Sequence, residues 1–168
     1  PATHMIDDDD LVPGSIGQPL PQTHAKIRSM PEFGSNDVGE LMVKGPQVME
    51  GYLTKDGYID RSSFDEEGFL HTGDLASVND KGYYYIVDRV KDLIKHRGHG
   101  IAPFELESVL RAHPNVQDVA VVGKWNKHDG DQQIHAYLII STERNHQTKE
   151  QIKKSLQSHQ NKHLAPFK

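Results

Sequence analysis

Apolar and polar side chains alternate along His24–Met30 (HAKIRSM) and again along Gly39–Gly45 (GELMVKG). A period of two belongs to strands, and the Gly and Pro clusters between these runs are those of a β-rich, turn-punctuated region. Tyr83–Asp88 (YYYIVD), aromatic and β-branched throughout, follows the turn sequence Asn79–Gly82 (NDKG) and is the strongest strand in the chain. The period then changes. In PFELESVLRAHP, Leu106, Val109 and Leu110 recur at helical spacing, Pro103 suits a first-turn position and Pro114 ends the run. Glu105 and Glu107 favour the positive N-terminal end of such a helix. Two strands, Val116–Gly123 and Ile134–Ser141, are expected next, joined by a polar loop over 124–133. A second helix over 148–160 sets Ile152 and Leu156 four apart. From Tyr83 the order is therefore strand, helix, strand, strand, helix, an α+β pattern unlike the β region before it, with a boundary near Asp88.

Length and charge sharpen this division. At 168 residues the chain holds one core, or one and a fraction. Its net charge of -5 is unevenly spread: residues 1–88 carry -10 and residues 89–168 carry +5. A basic second body facing an anion fits that pattern, as does ordinary surface drift. The second half mixes acids among its bases and has no basic stripe interleaved with aromatics, so no nucleic-acid partner is expected. The stretch from Asp7 to Leu20 reads as loop, and its four aspartates read as a solvated run because no matching ligand set for a cation accompanies them. The absence of cysteine excludes disulfides and thiolate metal sites. No run approaches the roughly 20 apolar residues of a membrane span, and the N-terminus lacks a signal pattern. The expected location is intracellular, in cytoplasm or peroxisome.

Two charged clusters flank the strong strand: His71–Asp74 (HTGD) before it, and Asp88–Gly98 (DRVKDLIKHRG) after it. A meander joining Leu75 to Val87 brings Asp74 close to Arg89. A carboxylate in a tight Thr-Gly turn accepts two hydrogen bonds from a vicinal diol, and an arginine fork beside it donates to the same sugar or its phosphate. That combination suits a ribonucleotide, although Asp74 taken alone reads first as a turn cap. Lys91, Lys95 and Arg97 follow, with Gly98 and Gly100 permitting unusual backbone angles and close ligand approach. On a helix, Lys91 and Lys95 share a face, an arrangement that calls for an anion between them or for full solvation. Among the eleven histidines, His96 with His99 and His159 with His163 form pairs, but neither has a third ligand at a convincing spacing, so no metal site is expected. There is no Ser-His-Asp order around a nucleophile elbow and no Walker-type phosphate loop.

The segments PGSIGQPLP, VGELMVKGPQVMEGYL and FDEEGFLHTGDLASVNDKGYYYIVDRVKDLIKHRGHGIAPFELESVLRAHPNVQDVAVVG together resemble the adenylate-forming superfamily of acyl-CoA synthetases, 4-coumarate-CoA ligases, beetle luciferases and adenylation domains. The resemblance runs from about Pro13 to Lys168, with its motifs in the family's order. It implies a β-rich end of the large AMP-binding domain, a distorted β-barrel subdomain, over residues 1–87. A hinge over 88–91 and a small α+β C-terminal lid over 92–168 follow. It also implies an ATP-dependent acid-CoA ligase that makes an acyl-adenylate from a carboxylate and ATP, with Mg2+ accompanying the ATP, and then a thioester with CoA. Fatty acid or phenylpropanoid metabolism is the expected setting. An adenylation domain that loads a carrier protein, luciferase activity and a non-catalytic nucleotide-binding homologue are the other branches.

Residue by residue, the resemblance makes Asp74 the ribose-binding aspartate and Arg89 its arginine partner. Lys91 stands at the hinge position. Lys95 and Gly98 fall in the loop that enters the active site for the second half-reaction, near the pantetheine channel, with Lys95 the catalytic candidate. The family's Ser/Thr/Gly-rich phosphate loop, its aromatic-Gly-x-Thr-Glu motif and its Gly-Lys loop are absent, and the Mg2+ ligands with them. The reading is of an internal-to-C-terminal fragment with no ligase turnover by itself, an expectation that ATP-pyrophosphate exchange above background would overturn.

Overall fold

The computed structural model describes residues 3–5, 12–30, 38–141 and 149–164, and the chain divides into two compact units, Pro1–Lys91 and Asp92–Lys168. The aspartate run at 7–10 and the terminal residues 165–168 lie outside the described residues.

The first unit is built of strands: β1 (His4–Met5), β2 (Gln18–Pro19), β3 (His24–Ser29), β4 (Val38–Lys44), β5 (Tyr52–Leu53), β6 (Ile59–Asp60), β7 (Leu70–Val78) and β8 (Tyr84–Arg89). Its body is an antiparallel sheet in the order β3-β4-β7-β8. Leu41, Val43, Ala76 and Tyr84 form its core, and the Tyr84 hydroxyl donates to the Ala25 carbonyl at 3.0 Å. β4 is buried on both faces from Gly39 to Val43, so its alternating sequence marks a strand but not an exposed side. The sheet is open: β1 and β2 pair with each other, as do β5 and β6, and among the described residues no pairing joins the β3 edge to the β8 edge. The expected distorted barrel is thus not closed. The strand expected to end at Asp88 continues through Arg89. HTGD, expected in a tight turn, instead lies inside β7.

In the second unit the elements are β9 (Ile94–His96), β10 (His99–Ile101), α1 (Pro103–Arg111), β11 (Val116–Asn126), β12 (Asp131–Ile140) and α2 (Lys149–His163). A short 3-10 turn, Val90–Asp92, stands between β8 and β9. Lys91 is therefore in that turn and Lys95 on a strand; the shared helical face expected of them does not form, because Ile94 and Ile101 are buried as a hairpin pair instead. The 124–133 segment is not a loop throughout, since β11 and β12 run paired to Asn126 and Asp131 and leave only a four-residue turn. α1 starts on Pro103 and buries Leu106 and Leu110, which meet Ile94, Ile101, Val119 and Val121 in a single core. Glu107 accepts the Val121 backbone N–H at 2.8 Å, tying helix to hairpin.

A buried histidine links α1 to α2. His113 is 4% exposed, its Nδ1 accepts the Asn115 N–H at 3.2 Å, and its Nε2–H therefore donates to Ser155 Oγ at 2.9 Å. The His159 ring stands edge-on at 5.4 Å. Burial, and after it the charge of His159, pushes the His113 imidazole below its ordinary value of 6.5. A proton on Nδ1 would also break the Asn115 bond. The unfolded chain binds that proton more readily than the folded one, so this contribution is complete above about pH 6.5 and declines as pH drops below it. Thermal melts at pH 7.5 and pH 5.5 are expected to show a loss of stability at the lower pH that shrinks in His113→Gln.

Candidate functional site

The β4–β7 register explains why HTGD stands out. Glu40 pairs with Leu75 and Met42 with His71, so Thr72, Gly73 and Asp74 face a single residue, Leu41. The surplus forms a bulge, with Gly73 at φ 72°, a conformation that suits glycine. Thr72 Oγ1 fastens the bulge by donating to the Leu41 carbonyl at 2.8 Å and accepting the Asp74 N–H at 3.0 Å. Beneath it lies Glu40, 5% exposed. One of its oxygens meets Arg28 Nη2 at 2.7 Å and His71 Nδ1 at 2.9 Å, and the other accepts the Gly73 N–H at 3.2 Å. Burial alone would raise the Glu40 carboxyl; the hydrogen bonds and charges of His71 and Arg28 outweigh it and hold the group below the usual carboxylate range.

The bulge places Asp74 directly opposite Arg89 in the β7–β8 register, where the two side chains form an ion pair with Arg89 Nε 2.9 Å from Asp74 Oδ1. Both side chains are partly exposed. Asp74 Oδ2 and the Arg89 terminal amino groups have no partner among the described residues. An acceptor that lines a cavity of about 430 Å³, whose apolar wall includes Leu41, Val43, Val48 and Met49, therefore has a donor fork beside it. Such a pair takes a ligand that carries hydroxyl donors next to an anionic acceptor.

In the second unit, Lys95 lies exposed on β9 opposite Gly100, and Gly98 sits in the β9–β10 turn at φ 78°. His96 and His99 flank that turn, and the rings of His159 and His163 are 4.8 Å apart. No three His, Asp or Glu side chains among the described residues are grouped to hold a metal ion. Of the sequence-expected residues, the sheet unites Asp74 with Arg89, whereas Lys91, Lys95 and Gly98 fall on separate short elements. Glu40 was missed; its signal is an acid set in the otherwise apolar centre of a strand, which demands a buried partner. No helix among the described residues is long and apolar enough to cross a membrane.

Residues 1–53 match the family model described as AMP-binding enzyme, and residues 105–168 match the one described as AMP-binding enzyme C-terminal domain. The chain is 38% identical over 148 residues to 4-coumarate--CoA ligase 1 of Glycine max, covering 86% of this chain and 50% of that protein. Among solved structures, ATP-bound MatB from Rhodopseudomonas palustris is similar with a TM-score of 0.77 and 31% identity, over 96% of this chain and 31% of that one. The o-succinylbenzoate CoA synthetase MenE of Bacillus subtilis, in complex with its acyl-adenylate intermediate, is similar with a TM-score of 0.69 and 34% identity, over 92% and 30%. MenE has also been solved with ATP and a magnesium ion. The chain thus spans half the length of the soybean relative and under a third of the two solved ones. With one model matched at each end and ligases among its relatives, the chain belongs to the AMP-binding, adenylate-forming enzyme family.

Proposed function

We propose that this chain supplies the ribose-binding edge and the C-terminal lid of an ATP-dependent acid-CoA ligase. In the first half-reaction a substrate carboxylate oxygen attacks the α-phosphorus of ATP, giving acyl-AMP and releasing pyrophosphate. In the second, the CoA sulfur attacks the acyl carbon, giving the thioester and releasing AMP. Asp74 Oδ2 accepts from the ribose diol and Arg89 donates to the same sugar, Lys91 is the hinge, and Lys95 with Gly98 serves the thioester step. Mg2+ arrives with the ATP. The observation that carries the reading is the Asp74–Arg89 pair raised on the Thr72–Asp74 bulge, an acceptor on the wall of an apolar cavity with a donor fork next to it.

The test uses the isotopically labelled chain titrated with AMP and with 2′,3′-dideoxy-AMP. AMP is expected to shift the Gly73, Asp74 and Arg89 amides, with the dideoxy analogue at least about tenfold weaker, the loss of one or two hydroxyl bonds to a charged acceptor. Equal affinity for the two nucleotides, or no response to AMP at those amides, would remove the assignment.

A further inference from the structure

The turn joining β9 to β10 is held in an unfavourable shape. Arg97 has φ 51° and Gly98 φ 78°, positive at both central residues, the signature of a two-residue hairpin. Glycine accepts this freely, but arginine does so only under strain. Three-residue strands do not hold such a hairpin unaided.

Its support comes from the start of β12. Asp131 Oδ2 accepts the Arg97 N–H at 2.8 Å and lies 3.2 Å from His96 Nδ1. The Gln132 side-chain oxygen accepts the Lys95 N–H at 2.6 Å, and its carbonyl is 2.6 Å from His96 Nδ1. A carbonyl only accepts, so His96 carries its proton on Nδ1 and donates it to the Gln132 carbonyl, with the Asp131 carboxylate close by. Asp131 Oδ1 accepts the Gln132 N–H at 2.9 Å, which fixes its own carboxylate. The supporting turn is braced in its own right: Asn126 Nδ2 donates to Asp129 at 2.7 Å and Gln133 Nε2 to the same carboxylate at 3.1 Å. Three consecutive residues, Lys95 to Arg97, are thus gripped by two adjacent residues from the start of a distant strand.

We infer that Asp131 and Gln132 are positioning residues that lock the Arg97–Gly98 turn in its strained form, so that Lys95 and the glycine tip meet CoA in fixed geometry. The functional half of this inference rests on the thioester-step reading above; the clamp itself rests on the geometry alone. Asp131 does not touch the reacting atoms. It acts through the backbone of Arg97, whose N–H above all holds the Asp131 carboxyl below the usual carboxylate range against the opposing effect of burial.

The experiment measures amide hydrogen exchange on the labelled chain, with CoA titration as a second readout, in wild type, Asp131→Asn and Asp131→Ala. In Asp131→Ala the Arg97 amide is expected to exchange at least about tenfold faster, while Val119 and Val121 in the core keep their protection. Asp131→Asn retains an acceptor oxygen and is expected to recover most of the protection. Wild type should lose Arg97 protection as pH falls through the lowered carboxyl value, a step missing from the Asn variant. CoA binding is expected to weaken about tenfold in the Ala variant and little in the Asn variant. Unchanged Arg97 exchange in Asp131→Ala overturns the clamp, as does a matching loss at Val119 and Val121, which makes Asp131 a general fold residue. An intact clamp in a chain whose β9–β10 amides ignore CoA removes the thioester-step reading and leaves the clamp standing.

Discussion

Glu40→Ala is expected to cost the first unit about 3 kcal/mol, the low end for deleting one partner of a buried ionic cluster. The carboxylate is 5% exposed and gathers Arg28, His71 and the Gly73 N–H onto two oxygens. Its removal leaves the Gly73 N–H and His71 Nδ1 without their acceptor and undercuts the bulge. Arg28 is half exposed and regains water, which is why the low end applies. Urea unfolding followed at β4 and β7 amides measures the loss, and a change under about 1 kcal/mol would show that water replaces the network without penalty. The pH dependence has a definite sign. The folded-state carboxyl lies below its unfolded value, so its contribution is present above the ordinary carboxylate range and is lost as pH falls through the folded value.

Asp74→Ala is expected to weaken AMP binding by about 100-fold, two charge-assisted hydrogen bonds at about 1.5 kcal/mol each. Stability should hardly change, because Asp74 is partly exposed and its bond to the half-exposed Arg89 is of the surface kind. The sharper result is a coupling. If Asp74 receives the diol, the dideoxy penalty seen in wild type shrinks in Asp74→Ala to what the Arg89 contact alone contributes, since the hydroxyls have lost their acceptor. A penalty that persists undiminished in the variant locates the diol contact elsewhere. Calorimetric titration of both proteins with both nucleotides measures all four corners.

Where side-chain pattern and backbone geometry agreed, the elements were legible in the sequence. β3, β4 and β8 alternate or run β-branched, and α1 carries its proline at the start and its apolar stripe inward. β7 hid because its bulge interrupts the alternation and puts a glycine in the middle of the strand. β9 and β10 hid because their outward residues are all basic or glycine. The usable signal was the symmetry of Ile94 and Ile101 about Arg97-Gly98, a two-residue hairpin turn between two buried aliphatics. In the candidate site, the closeness of Asp74 and Arg89 followed from a short meander. Glu40, Asp131 and Gln132 were not legible in the same way, because each takes a hydrogen bond from a backbone N–H 33 to 37 residues distant, and no local spacing encodes such a partner.

The His113 imidazole and the Glu40 carboxylate lie in different units, each with its own hydrophobic core. One takes up its proton below the ordinary imidazole value and the other below the ordinary carboxylate value, both lowered by folding. Acidification therefore acts through two kinds of group: the imidazoles lowered by burial, His4 in the first unit and His113 in the second, whose contributions decline below about pH 6.5, and the Glu40 carboxylate, whose contribution is lost at lower pH. Mild acid is expected to soften each unit through its own histidine while the Glu40 network still holds the first sheet together, a loss that amide exchange would read separately in the two cores.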